Sequence, residues 1–194
     1  CFYCAPMTKS FKQQLRVSYQ DKRKQMSLAA KNNASIAICE RVAALDAYRF
    51  AKRVALYRAV QNEINLDQLW LSQDRTFYFP VMQENKTLLF LPATSPTDFS
   101  ENKFGILEPH VSRTLAVTPS QLDIMLIPLV AFDEHGTRIG MGGGFYDRAL
   151  MNVRTPLLVG VAYEFQRQAY IEPDPWDVPL NVVITEQQTY WSKL

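Results

Sequence analysis

The sequence predicts an α/β fold: a single domain built on an open, largely parallel sheet flanked by helices, with two N-terminal helices before the first strand. Three observations lead there. Apolar residues recur at helical spacing through two successive N-terminal stretches before any strand-like run appears. The most apolar run, Leu122–Ala131, is followed by a glycine loop, a short helical segment and a second apolar run, Pro156–Ala162, a β-loop-α-β order that makes the sheet at least partly parallel. At 194 residues, with no repeat and no Gly/Ser linker, the chain holds material for one core. We expect one domain over residues 8–194, preceded at 1–7 by an extension open to disorder, with Met7 a candidate natural start.

In Thr8–Met26, Phe11, Leu15, Tyr19 and Met26 fall near one helical stripe, with Thr8 or Ser10 available as a cap. Ser27 opens a second helix through Ile38, Val42 and Leu45. Arg53–Val60 reads as a strand, Leu66–Gln73 as a short helix, and Phe77–Met82 and Leu88–Leu91 as further strands. A polar loop over 94–103 follows. Leu122–Ala131 is apolar throughout, so it should be a central strand buried on both faces. After a short connection at Phe132–Thr137 come the glycine loop, a helical segment at Asp147–Asn152 and the strand Pro156–Ala162. Glu172–Asp177 is then the loop before a last strand, Val182–Thr185.

Lys plus Arg outnumber Asp plus Glu by only 21 to 19, so the chain carries no global electrostatic footprint for nucleic acid. No apolar run approaches the ~20 residues needed to cross a bilayer, and the N-terminus lacks a signal-peptide core. Cys1 and Cys4 form a CxxC with no second pair to complete a zinc site, and Cys39 stands alone in a helical pattern. Cysteines without a disulfide framework fit a reducing compartment, and a cytoplasmic monomer is expected.

Chemistry concentrates at residues 138–148, Arg-Ile-Gly-Met-Gly-Gly-Gly-Phe-Tyr-Asp-Arg, where four of the seven glycines, Gly140 and Gly142–Gly144, fall within five positions. A glycine cluster is often only a surface turn. Here it ends in two aromatics and feeds a helical segment at the carboxyl end of a central strand, where backbone amides can turn inward on an anion. Neither a GxxxxGK[ST] nor a GxGxxG fingerprint is present, so any nucleotide is held in another way. Lys12 and Arg16, four apart, share a helix face and repel unless a polyphosphate sits between them; a solvated basic face is the plainer reading. Asp147 and Asp177 stand in consecutive strand-end loops, a pair suited to Mg²⁺, which takes oxygen ligands from one or two carboxylates plus phosphates; Asp177 alone is more often a helix cap or a turn residue. Glu63, after the first strand, can accept hydrogen bonds from an aminopyrimidine-type ring or face water, as can Glu108. Phe104 can stack on a flat ligand. His110 and His135 have no evident partner, and no GxSxG or HExxH occurs. Cationic clamp, amide cradle and paired carboxylates suit phosphoryl transfer, with ATP the simplest donor; spacing does not identify the acceptor.

At RIGMGGGFYDR the sequence closely resembles the 5-formyltetrahydrofolate cyclo-ligase family, and the resemblance extends through the basic first helix, QNEI, FGILEP and the closing WDVPLNVVITE. It implies ATP- and Mg²⁺-dependent conversion of 5-formyltetrahydrofolate to 5,10-methenyltetrahydrofolate with release of ADP and phosphate. The N5-formyl oxygen would attack the γ-phosphate, N10 would attack the activated carbon, and phosphate would leave, with no protein nucleophile. The resemblance assigns Lys12, Arg16, Arg138, Gly140, Met141, Gly142, Gly143, Gly144, Phe145 and Tyr146 to ATP. To folate it assigns Glu63, Phe104, Met141, Gly142, Gly143, Gly144 and Phe145. Asp147 and Asp177 would hold the metal, and Arg138, Tyr146 and Asp147 would carry catalysis. Against the family pattern, Met141 and Gly143 stand where some members have a basic residue, Asn181 replaces an Asp, and Phe104 replaces a larger aromatic. Two rival readings are a non-catalytic folate- or nucleotide-binding module of the same fold and an ATP-independent sugar-phosphate or CoA-handling enzyme of similar architecture.

Overall fold

Alternate residues of the central run point to opposite faces of a sheet, and both faces are covered. In the computed structural model, which describes residues 9–70 and 74–193, Ile124 and Leu126 pack into one apolar cluster with Ile38 and Val42, while Met125 and Ile127 pack into a second with Phe90, Leu150 and Val183. That three-layer arrangement follows from the period-2 alternation of strand side chains.

The helices are α1 (Lys9–Gln25), α2 (Leu28–Ala43), α3 (Asp46–Phe50), α4 (Asp67–Trp70) and α5 (Phe145–Leu150). The strands are β1 (Arg53–Ala55), β2 (Thr76–Met82), β3 (Leu88–Pro92), β4 (Phe99–Glu101), β5 (Leu107–Pro109), β6 (Ile124–Pro128), β7 (Ala131–Phe132), β8 (Arg138–Ile139), β9 (Leu157–Val161), β10 (Val182–Ile184) and β11 (Thr189–Trp191). Seven of them form the main sheet in the order β11-β10-β9-β6-β1-β2-β3, with β6 at its centre. Neighbours from β10 to β2 pair in parallel; β3 and β11 close the edges antiparallel. The expected fold class is therefore the observed one.

The two N-terminal helices form as read. Ser27 caps α2, its side chain accepting from Ala30 N–H at 3.1 Å. Thr8, the cap considered for α1, lies outside the described residues, as do Cys1, Cys4 and the extension over 1–7; of the helix expected over Leu66–Gln73, residues 71–73 lie outside them too. A short α3 that the sequence reading passed over follows α2.

Several boundaries differ for identifiable reasons. The strand read at Arg53–Val60 pairs only through Ala55, because the chain peels away after Leu56 toward the left-handed turn at Gln61 and Asn62. The loop at 94–103 contains β4, which with β5 forms a separate hairpin. Leu122–Ala131 divides at Pro128, which has no N–H to donate, and the chain re-pairs as the β7–β8 hairpin. The connection expected at Phe132–Thr137 is the end of that hairpin, organised by the buried Asp133, whose carboxylate accepts from His135, Thr137 and Ile171 N–H. The last strand is β11, not β10.

The same hairpin decides where α1 goes. Val130, Ala131 and Ile139 form a small core with Tyr19 and Ile171, and Leu15 packs against it. One apolar face of α1 is thereby fastened beyond the carboxyl end of the sheet, with Lys12 and Arg16 carried toward the glycine loop.

Candidate active site

At that carboxyl end lies a cavity of about 660 Å³. It is lined by Pro128 and Leu129 at the end of β6, by Ile139 of the β7–β8 hairpin, and by the whole glycine loop 140–144. Parallel strands place their crevice there because the connections on either side of the sheet part from one another.

The loop's backbone is arranged by glycine geometry and by two arginines. Gly142 has φ +101° and Gly144, at the N-terminus of α5, φ +67°, conformations that a side chain disfavours. Arg16 Nε donates to Gly140 O at 2.8 Å, and its guanidinium lies 3.5 Å from where a Cβ on Gly142 would stand. Arg148 Nη1 donates to Gly143 O at 2.6 Å. Helix α5 starts at Phe145, two residues earlier than read, and has six residues. With a helix this short, the cradle must come mostly from loop amides and cations rather than from a macrodipole.

On one side of the loop the charges interlock. Lys12 Nζ pairs with Asp174 Oδ2 at 2.8 Å. Arg138 Nη2 donates to Asp147 Oδ1 at 2.8 Å, and the Val178 N–H donates to the same oxygen at 3.1 Å. Asp177 Oδ2 accepts from Asp174 N–H at 2.8 Å. Burial first, and the neighbouring Asp147 carboxylate as a lesser cause, raise the Asp177 pKa. The hydrogen bonds to Asp147 both end on Oδ1 and the one to Asp177 on Oδ2. Each carboxylate thus keeps an oxygen for a cation, and mutual repulsion is a reason to take one. Two carboxylates fit Mg²⁺ completed by phosphate and water; no cluster of three or more acidic, histidine or cysteine ligands occurs among the described residues.

Apolar side chains also line the cavity, among them Tyr57, Val60, Pro80, Met82, Leu88 and Ile106, and Glu63 belongs to the same wall. Glu63 accepts from Val60 N–H at 3.0 Å; burial raises its pKa to about 7, against the lowering effect of that bond and of the buried Arg23. Burial likewise raises the Tyr146 phenol, so it stays protonated and available as a donor. Glu108, also in the wall, is already engaged by Met82 N–H at 2.8 Å and Asn102 Nδ2 at 2.9 Å.

The structure thus gathers Lys12, Arg16, Glu63, Arg138, Gly140 through Asp147 and Asp177 around one cavity. It does not bring Phe104 there. That residue is 62% exposed beside the β4–β5 turn, its ring facing Lys103 Nζ at 5.2 Å, because the left-handed Gly105 turns the chain before Ile106 re-enters the wall. Asn181, whose Oδ1 accepts from Leu158 N–H at 2.7 Å, serves the sheet rather than the carboxylate pair. Sequence reading missed Asp174, Arg58 and Trp176 in the wall. Asp174 and Trp176 sit in an acidic stretch that had been read as a loop, and nothing local marks them as neighbours of a helix 162 residues away.

Residues 8–186 match the model of the 5-formyltetrahydrofolate cyclo-ligase family. The chain is 36% identical to the 5-formyltetrahydrofolate cyclo-ligase of Haemophilus influenzae over 87% of this chain and 94% of that protein. It is 31% identical to the cyclo-ligase of Mycoplasma pneumoniae over 91% of this chain and 99% of that one. In three dimensions it resembles the 5,10-methenyltetrahydrofolate synthetase of Aquifex aeolicus, with a TM-score of 0.82 at 32% identity over 93% of this chain and 92% of that one.

Proposed function

The chain belongs to the 5-formyltetrahydrofolate cyclo-ligase family, and from that premise we propose how its residues divide the reaction. It is an ATP-dependent enzyme that cyclises 5-formyltetrahydrofolate to 5,10-methenyltetrahydrofolate with release of ADP and phosphate. The observation that carries the division of labour is one cavity whose lining joins the glycine loop to both a set of charged groups and a set of apolar side chains.

ATP takes the charged half. Backbone groups of Gly140 through Gly144, together with Phe145 and Tyr146, enclose its triphosphate, and Lys12 and Arg16 neutralise it from α1. Lys12 exchanges Asp174 for phosphate as the nucleotide enters. Asp147 and Asp177 hold Mg²⁺, which supplies charge neutralisation on the phosphates. Arg138 orients Asp147 through the 2.8 Å bond and lends positive charge to the transferring group.

Folate takes the apolar half. Glu63 accepts from the aminopyrimidine edge of the ring, and Met141 through Phe145 form the side of the loop that both substrates share. The formyl oxygen then meets the γ-phosphorus, a P–O bond to it forms as the bond to ADP breaks, and N10 closes the ring as phosphate departs and N10 loses its proton. Tyr146, kept protonated by burial, donates toward the oxygen on which charge builds. Excluding water matters because the activated formyl carbon is otherwise open to hydrolysis.

The test is turnover followed as methenyltetrahydrofolate absorbance with protein, ATP, Mg²⁺ and 5-formyltetrahydrofolate. Asp147→Ala should lower kcat by at least about 10²-fold, as losses of a transition-state contact do, while circular dichroism stays unchanged. Folded wild-type protein that binds both substrates without releasing ADP would identify a non-catalytic binding module instead.

A further inference from the structure

Of the large apolar side chains left exposed among the described residues, only Met141 and Trp176 line the cavity. Met141 belongs to the glycine loop. Trp176 has no role in anything assigned above, yet it is 64% exposed, a large apolar surface to leave open to water.

Its support is rigid. Asp177 N–H donates to Asp174 O at 3.0 Å and Asp174 N–H donates back to the Asp177 carboxylate at 2.8 Å, closing a four-residue turn with Trp176 near its crest. Pro175 fixes the preceding φ. Lys12 of α1 pairs with Asp174 of the turn at 2.8 Å, a contact it exchanges for phosphate. The backbone beneath the indole is therefore fixed by its own turn, and Trp176 shares the cavity wall with Lys12, Asp174 and Asp177.

We propose that Trp176 is the platform on which the nucleotide base of ATP stacks. The proposal rests on the division of the cavity given above. A flat, apolar, electron-rich surface beside a polyphosphate cradle suits the π-face of a purine, which gains from stacking without needing a matched hydrogen-bonding edge. The folate ring is placed on the other side of the loop, where Glu63 offers directed acceptors. Binding energy from the base would then hold the triphosphate in register with the formyl oxygen, remote from the reacting atoms.

Three measurements on the full chain test this. Trp176→Ala should raise KM for ATP about tenfold or more and leave KM for 5-formyltetrahydrofolate within about twofold, the size of effect that losing one base stack produces; Trp176→Phe should restore most of the affinity. Inorganic triphosphate, which has no base, should inhibit wild type and Trp176→Ala equally. A non-hydrolysable ATP analogue should quench wild-type tryptophan emission but leave Trp176→Phe unchanged, with Trp70 and Trp191 reporting that the fold is intact. An unchanged KM for ATP in Trp176→Ala, or a loss confined to the folate KM, overturns the proposal while the cyclo-ligase reading stands. A wild-type protein that binds neither ATP nor its analogue overturns both.

Discussion

Glu63 shows how one residue's surroundings set its chemistry. In solution a glutamate is ionised well below neutrality; here burial raises its pKa from 4.5 to about 7, with Val60 N–H and the Arg23 charge as the opposing influences. Tyr57, Tyr146 and Tyr163 face it as well. Because the folded-state pKa is the higher one, the folded protein favours the protonated form, and that stability is lost as pH rises from about 4.5 through about 7. Binding runs the other way, since the ionised carboxylate is the better acceptor for ring N–H groups. KM for 5-formyltetrahydrofolate should therefore fall as pH rises through about 7, while urea midpoints decline over the same window. Glu63→Gln should flatten both profiles and raise KM; a wild-type KM flat across that window would remove Glu63 from the folate site. Glu63 was legible as a candidate because it follows the first strand. Its shifted titration was not, because its cause is burial by elements distant in sequence, which outweighs the lowering by Val60 N–H and by the charge of Arg23 on another element.

At the scale of elements, the glycine loop is the part most readable from sequence, and the positive φ of Gly142 and Gly144 makes it sensitive to an added methyl group. Gly142 holds φ +101° with the Arg16 guanidinium 3.5 Å from any added Cβ. Gly142→Ala should strain the loop by about 1–2 kcal/mol through its positive φ, with the added methyl in ordinary contact with Arg16. We expect KM for ATP to rise by tenfold or more with only a few degrees lost in thermal melting. An equal loss of melting temperature and activity would mean the loop supports the fold rather than the ligand. The helices α1 and α2 were legible from periodicity and the Ser27 cap. The limits of β1 and the existence of the β7–β8 hairpin were not, since a continuous apolar run does not say where Pro128 will make it leave the sheet.

For the whole molecule, stability should follow the centre of the sheet. Met125 is fully buried at 0% exposure in β6, between β1 and β9. Met125→Ala should cost about 2–5 kcal/mol, seen as a lower denaturant midpoint with one cooperative transition, whereas Val17→Ala, at a position 52% exposed, should be nearly neutral. Composition and local order alone determined the α/β class, the parallel central strands, the two leading helices and the glycine loop at a strand's carboxyl end, because each depends on neighbours within one or two turns of chain. Tertiary structure decided what surrounds that loop. It laid α1 across the sheet end through Tyr19 and Leu15 on the β7–β8 hairpin, paired Lys12 with Asp174, presented Trp176 and turned Phe104 outward. Those outcomes depend on how one core fills against another, and packing between distant segments leaves no periodic mark in the sequence.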